Sequence, residues 1–158
     1  MRRAVLGVVV GGLLLGSAAC GTARNPTPGA GTPGGTVSLS PEQVQTKATC
    51  EAIGTVYTKN MGSFAEALSK MVAGGTGTAA ARKDAQQKLS AFGTAIRQTT
   101  RTSTDAQFRA DGKQAADRLQ ATSTDEAFFT KIKTTQDVTE VLGPTLKEWL
   151  APVTHHCS

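Results

Sequence analysis

Aromatic side chains are scarce in this sequence. Five phenylalanines, one tyrosine and one tryptophan make up 4% of the 158 residues. Alanine and threonine fill many of the remaining positions. A chain of this length can form one domain with a core, but we expect that core to be lean. We also expect its helices to approach one another closely.

Histidine is nearly absent as well, which limits the catalytic chemistry that the chain can support. The only two histidines are His155 and His156, close to the C-terminus. The sequence has no G-x-S-x-G, no P-loop and no H-E-x-x-H motif. Its acidic residues fall mostly on the polar faces of predicted helices. We therefore predict a protein that is not an enzyme, with no catalytic residues.

The chain also lacks a concentrated block of one charge. Its formal net charge is +5, and Arg2 and Arg3 supply two of the positive charges. The remaining basic and acidic residues are interspersed, which is typical of a solvated mixed surface. Nucleic-acid binding usually needs a basic face, so no nucleic-acid partner is expected.

No apolar run is long enough to cross a bilayer, but a shorter one stands at the start. Ala4 to Leu15 is about a dozen residues, below the roughly 20 that a spanning helix needs. Arg2 and Arg3 precede it, and small residues follow it up to Cys20. This order predicts a signal peptide over residues 1–19.

The same stretch, ending in Ser17-Ala18-Ala19-Cys20, resembles the precursors of small bacterial lipoproteins, and the abundance of Ala, Gly and Thr suits an actinobacterial one. The resemblance covers residues 1–20 only. It implies that Cys20 is acylated, becomes the mature N-terminus and anchors the protein in lipid at the outer face of the cell membrane. The family favours Leu where Ser17 stands, so cleavage by an ordinary signal peptidase, which would leave Cys20 as a free thiol, is the alternative.

Three cysteines in an exported protein leave one unpaired. If Cys20 carries lipid, as the resemblance implies, Cys50 and Cys157 remain and can pair in an oxidising compartment. A bridge across roughly 107 residues would contribute up to about 5 kcal/mol in the chain-entropy model. We therefore expect a Cys50–Cys157 disulfide.

Residues 20–39 are rich in Gly, Pro and Thr and almost free of apolar side chains. Such a composition cannot bury enough surface to offset the entropy of ordering. It predicts a flexible linker between the anchor and a domain over residues 40–158.

The domain begins with a clear helix start. Ser40 and Gln43 form the S-x-x-Q pattern of a capping box, and Pro41 suits the first turn. Apolar residues then recur at helical spacing, and Gly74-Gly75-Thr76-Gly77 ends the helix. The stripe is formed by Cys50, Ile53, Tyr57, Met61, Phe64, Leu68 and Met71.

Three further helices are predicted. The second covers about Thr78 to Thr100, the third starts at Thr104, and the fourth starts at Ser123 with Glu126 completing a capping box. Residues 102–105 and 122–125 carry the same letters, T-S-T-D, which we interpret as two independent helix starts. The apolar positions of these helices are Ala85, Leu89, Phe92, Ile96, Phe108, Ala115, Leu119, Phe128, Ile132, Val138, Val141 and Leu142.

Gly143-Pro144 interrupts the fourth helix. Proline removes a backbone donor and clashes with the preceding turn, so we expect either a kink or a fresh short helix that starts at Pro144 and is stopped by Pro152. The predicted fold is all-α, an antiparallel four-helix bundle with a kinked or broken last helix. In such a bundle Cys50 and Cys157 lie at the same end.

The sharpest local cluster of chemical groups is His155-His156-Cys157. Imidazole and thiolate are ligands for Zn²⁺ or copper. The favoured interpretation places Cys157 in the disulfide and both histidines in an exposed tail, so no metal and no cofactor are predicted. His155 and His156 stay as weak metal candidates. Trp149, near the proline, is expected in the core or, alternatively, lining a groove for an apolar ligand.

The function that these observations favour is binding. We expect an extracytoplasmic lipoprotein that holds an unidentified ligand or contacts an envelope protein. The alternative is a carrier for a small apolar molecule or a metal at the membrane surface, and an envelope enzyme is a third possibility.

Overall fold

The structure is a computed structural model that describes residues 38–74 and 78–158. The predicted signal peptide 1–19, the anchor Cys20 and the linker as far as residue 37 lie outside the described residues. The described residues form helices and turns but no β-strand. The prediction of an all-α fold is therefore confirmed.

Six α-helices and two other helical turns follow one another along the described chain. A π-helical turn over Val141–Thr145 joins the fifth and sixth helices, and a 3₁₀ turn over His155–Cys157, here named the C-terminal turn, follows the sixth. The α-helices are α1 (Pro41–Val72), α2 (Thr78–Arg101), α3 (Ala106–Ser123), α4 (Glu126–Lys131), α5 (Thr135–Glu140) and α6 (Leu146–Thr154).

The start of α1 forms as its sequence predicts. Ser40 has extended backbone, and its hydroxyl accepts a hydrogen bond from the Gln43 N–H at 3.2 Å. The Gln43 side-chain oxygen accepts one from the Ser40 N–H at 2.8 Å. Pro41 occupies the first turn. Both halves of the capping box are thus present.

The end of α1 depends on a glycine. The Ala73 N–H donates to the Ser69 carbonyl, and Gly74 follows with φ at +81°. Residues with a Cβ rarely adopt that left-handed conformation, whereas glycine adopts it without a steric penalty. The chain can therefore leave the axis of α1 at Gly74.

The helices enclose one hydrophobic core. The predicted stripes of α2 and α3 are completely buried, whereas Cys50, Tyr57 and Met61 of α1 are half-buried at its edge. Phe129 and Val153, which were not among the predicted apolar positions, are fully enclosed. The buried side chains with the largest volumes are Phe64, Phe92, Phe108, Phe129, Leu68, Leu89, Ile96, Leu119 and Leu146.

Helices α2 and α3 approach closely at two glycines. A Cβ added at Gly112 would overlap the side chain of Thr100, and one added at Gly93 would lie 2.9 Å from the carbonyl oxygen of Ala116. Thr100 is buried and donates its hydroxyl hydrogen bond to the Ile96 carbonyl at 2.9 Å. Gly112 therefore lies on the buried face of α3, where the helix–helix spacing leaves no room for a side chain.

The repeated T-S-T-D letters do mark two helix starts, each one residue or two after the predicted cap. Asp105, rather than Thr104, caps α3, and Asp125, rather than Ser123, caps α4. Ser123 stays in α3, where its buried hydroxyl donates to the Gln120 carbonyl at 2.7 Å. Carboxylates at the N-cap accept hydrogen bonds from free backbone N–H groups, and their negative charge interacts favourably with the helix dipole.

The predicted fourth helix is divided earlier than expected. Helix α4 ends at Lys131, and the next residue, Ile132, has an extended backbone and a buried side chain. Thr134 and Asp137 then form a second reciprocal capping box, which starts α5. This capping box provides hydrogen-bond acceptors for backbone N–H groups at the start of α5. Those N–H groups would have formed intrahelical bonds if α4 had continued. The expectation of one uninterrupted helix to Leu142 was wrong.

Proline changes the next segment without starting a fresh helix. Pro144 lies inside the π-helical turn, where the wider turn accommodates a residue that cannot donate to the preceding turn. Pro152 does not stop the chain either, because α6 continues to Thr154. The carbonyl that loses its donor there belongs to Glu148, which is exposed to water.

Contacts between helices determine where the C-terminus lies. Helix α1 packs against α2, α5 and the C-terminal turn, and α3 packs against α2 and α6. The C-terminal turn thus contacts α1, and its His156 also stacks on Phe108 near the start of α3. The chemistry described next is concentrated there.

Candidate functional site

The disulfide between α1 and the C-terminal turn is formed as predicted. The Cys50 and Cys157 sulfurs are 2.05 Å apart, and their Cα atoms are 5.6 Å apart. Cys50 is half-buried and Cys157 is exposed. Together they hold the end of the chain against α1. The third cysteine, Cys20, lies outside the described residues.

His156 is not in an exposed tail, contrary to the expectation. Its ring stacks on Phe108 of α3, with centroids 4.5 Å apart and planes 14° from parallel. Its Nε2 lies 2.8 Å from Asp111 Oδ2, and its side chain is only 11% exposed. His155 is exposed, as expected, and its ring centroid is 4.2 Å from that of His156. Packing of the C-terminal turn on α3 accounts for the difference.

Asp111 is the residue that sequence analysis missed. The sequence grouped it with the acids on polar helix faces, but its side chain is only 14% exposed. Its second oxygen, Oδ1, accepts a hydrogen bond from the Gln107 amide at 3.0 Å. No sequence signal could have connected Asp111 with His156, because 45 positions separate them.

The surroundings of Asp111 favour its charged form. The hydrogen bond with His156 lowers the pKa of this carboxyl group most, while partial burial raises it. The Gln107 amide and the nearby His155 lower the pKa further. Asp105 adds a second carboxylate near the same histidine, with Oδ2 3.9 Å from His156 Nδ1. The histidine therefore lies between two acidic side chains of α3 and its cap.

Three of these groups could hold a metal ion. One ligand atom from each of Asp111, His155 and His156 lies within 4.8 Å of the others. Two imidazoles and one carboxylate form a donor set that suits Zn²⁺ and Cu²⁺. The structure thus adds Asp111 to the two weak candidates that the sequence indicated.

An apolar pocket lies on the other side of the disulfide. It has a volume of about 470 Å³, within the usual range for small-molecule sites. Its walls come from α1, the π-helical turn and α6. Among the described residues that line it, Lys147 is the only charged one. The principal apolar side chains are Ile53, Tyr57, Leu142, Leu150 and Val153.

Two glycines leave space at this pocket. Gly54 of α1 and Gly143 of the π-helical turn both line it, and a Cβ added at either would meet nothing within 4 Å. Tyr57 stands between the pocket and the core, with its ring centroid 6.1 Å from that of Phe92. The pocket can therefore admit a small apolar molecule without displacing the core.

Trp149 does not line this pocket. It is 9% exposed, and its ring centroid is 5.5 Å from that of Phe128. It occupies a place in the core, which was the favoured of its two predicted positions.

A wider polar groove of about 950 Å³ runs beside the other face of the C-terminal turn. The start of α1 forms one wall, and Thr104, Asp105 and His156 form the other. Lys47 and Glu42 contribute opposite charges. The groove gives solvent access to the edge of His156.

The described residues thus form a small all-α domain closed by a disulfide, with an apolar pocket and a histidine–carboxylate cluster on either side of its C-terminal turn. Comparison with protein-family models, curated proteins and solved structures found no match for this chain. In the described part of the chain, no helix is both long and apolar enough to cross a membrane.

Proposed function

We propose that the protein is an extracytoplasmic lipoprotein whose helical domain binds a small apolar ligand without catalysing a reaction. Acylated Cys20 anchors it to the outer face of the cell membrane, and residues 20–39 act as a tether. The observation that carries the binding function is the apolar pocket between α1 and α6. The anchor rests on the resemblance of residues 1–20 to lipoprotein precursors.

We also propose an arrangement for the helices. The bundle has four antiparallel helical segments, with α1, α2 and α3 as the first three and α5, the π-helical turn and α6 as a broken fourth. The short connections between successive helices and the contact of α6 with α3 support this arrangement.

A ligand pocket has more support than an apolar docking face for a partner protein. Among the described residues, only Leu39 and Val44 are large hydrophobic side chains that are substantially exposed. Protein-binding surfaces usually present a contiguous apolar patch. An interaction with an envelope protein is therefore the second candidate, and it would have to use polar contacts.

The ligand has an apolar body and is either neutral or carries one acidic group. The pocket walls are mainly aliphatic, and Lys147 provides one ammonium group at its edge. An exposed ion pair contributes only about 0 to 1 kcal/mol. Affinity should therefore depend mostly on the apolar body, and Lys147→Gln should weaken binding of a fatty acid a few-fold while leaving a neutral analogue unaffected.

The pocket is tested by filling it. Gly54→Leu places a side chain in the space beside α1, so we expect the affinity for the neutral fluorophore N-phenyl-1-naphthylamine to decrease by about tenfold or more, equal to about 1.4 kcal/mol. Fluorescence titration measures this change. The matched control is Gly62→Leu on the same helix, where a Cβ also meets nothing within 4 Å but which does not line the apolar pocket.

Equal affinities of the two leucine variants would contradict the pocket. Native mass spectrometry of the protein purified from its own host supplies the second test, because a carrier should retain an apolar molecule that Gly54→Leu loses. Crosslinking to an envelope protein with no retained ligand would favour the interaction protein instead.

The anchor is tested separately from the pocket. Cells given a radioactive fatty acid should label the wild-type protein, and Cys20→Ala should remove the label because the acceptor thiol is gone. Ser17→Leu, which restores the residue that the lipoprotein family favours, should keep or increase it. Labelling that persists in Cys20→Ala would refute acylation at this residue, and an unlabelled wild type would favour simple secretion.

A further inference from the structure

The cluster of Asp111, His155 and His156 is held in place by three independent constraints. Gln107 donates to the carboxylate oxygen that does not face the histidine. Phe108 stacks on the His156 ring and limits its rotation. The neighbouring Cys157 is bonded to Cys50 of α1, which fixes the backbone of the C-terminal turn. Outer contacts of this kind commonly orient metal ligands in proteins.

We infer that Asp111, His155 and His156 form a binding site for a divalent transition-metal ion, Zn²⁺ in the first instance. Imidazole nitrogens suit Zn²⁺ and Cu²⁺, whereas Mg²⁺ and Ca²⁺ prefer sets made of oxygen alone. Three protein ligands leave a fourth position for water or another molecule. His156 lines the polar groove and His155 is exposed, so two of the three ligands can be reached from solvent.

The distances require only small movements. Zinc bonds of about 2.0 to 2.1 Å place tetrahedral ligand atoms roughly 3.3 Å apart. The 2.8 Å contact between His156 Nε2 and Asp111 Oδ2 must open slightly, and the three atoms now within 4.8 Å must converge. His155 is exposed, and its Nδ1 lies 3.1 Å from the Pro152 carbonyl oxygen, so either its Nε2 binds the ion or the ring turns and gives up that contact.

The ring proton of a neutral His156 does not obstruct binding of the ion. Nε2 of a neutral His156 binds the ion through its lone pair, and the ring proton resides on Nδ1, which faces Asp105 Oδ2 at 3.9 Å.

The site is separate from the proposed apolar ligand. None of its three residues lines the apolar pocket. Failure of zinc binding would therefore leave the pocket unaffected, and failure of the pocket would leave the zinc site unaffected.

Isothermal titration with zinc chloride tests the inference on the disulfide-bonded mature chain. The protein carries no histidine tag, and Cys20→Ser removes the one thiol that could bind zinc by itself. We expect saturable binding of about one ion per chain. Asp111→Asn keeps a hydrogen-bond acceptor for His156 but loses the charged ligand, and His155→Ala removes an exposed ligand, so each should weaken zinc binding by about tenfold or more.

Glu148→Gln is the matched control, because it removes an exposed carboxylate from α6 that is not in the cluster. It should bind zinc as the parent does. Circular dichroism checks whether each variant is folded. If Asp111→Asn is not folded, His155→Ala decides. No saturable binding, or equal binding by parent and His155→Ala, would overturn the inference.

Discussion

His156 and Asp111 show how the chemistry of a residue depends on its neighbours. The histidine is close to the C-terminus, where side chains are usually exposed to solvent. Phe108 nevertheless covers one face of its ring, and Asp111 contacts its Nε2. The carboxylate is correspondingly desolvated and retains two hydrogen-bond partners. Burial of a charged group is tolerated when its hydrogen bonds are satisfied.

The pH dependence of stability should report this contact. The pKa of Asp111 is lowered in the folded state, so its contribution is complete above pH about 4 and is lost as the pH decreases through the lowered pKa. We expect Asp111→Asn to reduce the free energy of unfolding at pH 7 by about 1 kcal/mol. The difference from wild type should shrink toward zero in acid. Urea unfolding across this pH range measures it.

A difference that stayed constant into acid would show that the loss comes from packing rather than from the charge of Asp111. Asp84→Asn provides a comparison, because that carboxylate is exposed and lies 3.9 Å from the Lys88 ammonium. It should change the free energy of unfolding very little at any pH.

At the scale of elements, helix spacing and helix boundaries have different origins. The boundaries of α1, α3 and α5 follow local capping, in which a side chain satisfies backbone groups within three residues. The spacing of α2 and α3 instead depends on Gly93 and Gly112, which allow their backbones to approach. A lean core of Ala, Gly and Thr makes this close contact possible.

Substitution of a glycine should therefore have opposite effects in two helices. Gly112→Ala forces a methyl group against Thr100, so we expect it to reduce the free energy of unfolding by about 1 to 3 kcal/mol. Gly62→Ala adds a methyl group in open space on α1 and should increase it by up to about 1 kcal/mol through helix propensity. Thermal and urea unfolding compare the two variants. A neutral Gly112→Ala would show that α2 and α3 can separate easily.

On the scale of the whole molecule, the disulfide joins the first helix to the last turn. It spans 107 positions, so it restricts the unfolded chain strongly. It also holds the C-terminal turn against α1 and thereby positions His156 on α3. Both proposed sites lie next to this bridge, since Cys50 and Cys157 line the apolar pocket and His156 precedes Cys157.

Reduction should weaken the fold and loosen the C-terminal turn. Cys157 is exposed, so a small reductant can reach the bridge. We expect the free energy of unfolding to decrease by up to about 4.7 kcal/mol, the chain-entropy value for a loop of this size. The midpoint of urea unfolding, with and without dithiothreitol, measures the change. The double variant Cys50→Ala and Cys157→Ala is the control, because its midpoint should not respond to the reductant.

The sequence alone determined the features that depend on neighbours within about one helical turn. The capping box at Ser40, the stripes of α2 and α3 and the all-α class all follow from spacings of three and four residues. The division at Ile132 was local too, and the Thr134–Asp137 pair could have revealed it. Counting cysteines predicted the disulfide, because assigning Cys20 to the proposed anchor left Cys50 and Cys157 as the remaining pair.

Only the tertiary structure decided where distant groups meet. Asp111 and His156 come together across 45 positions, and the apolar pocket draws its walls from both ends of the domain. Such contacts depend on how helices pack, which depends on side-chain volumes and close approaches rather than on periodicity. For that reason the helices could be predicted from the sequence, whereas the candidate sites between them required the folded chain.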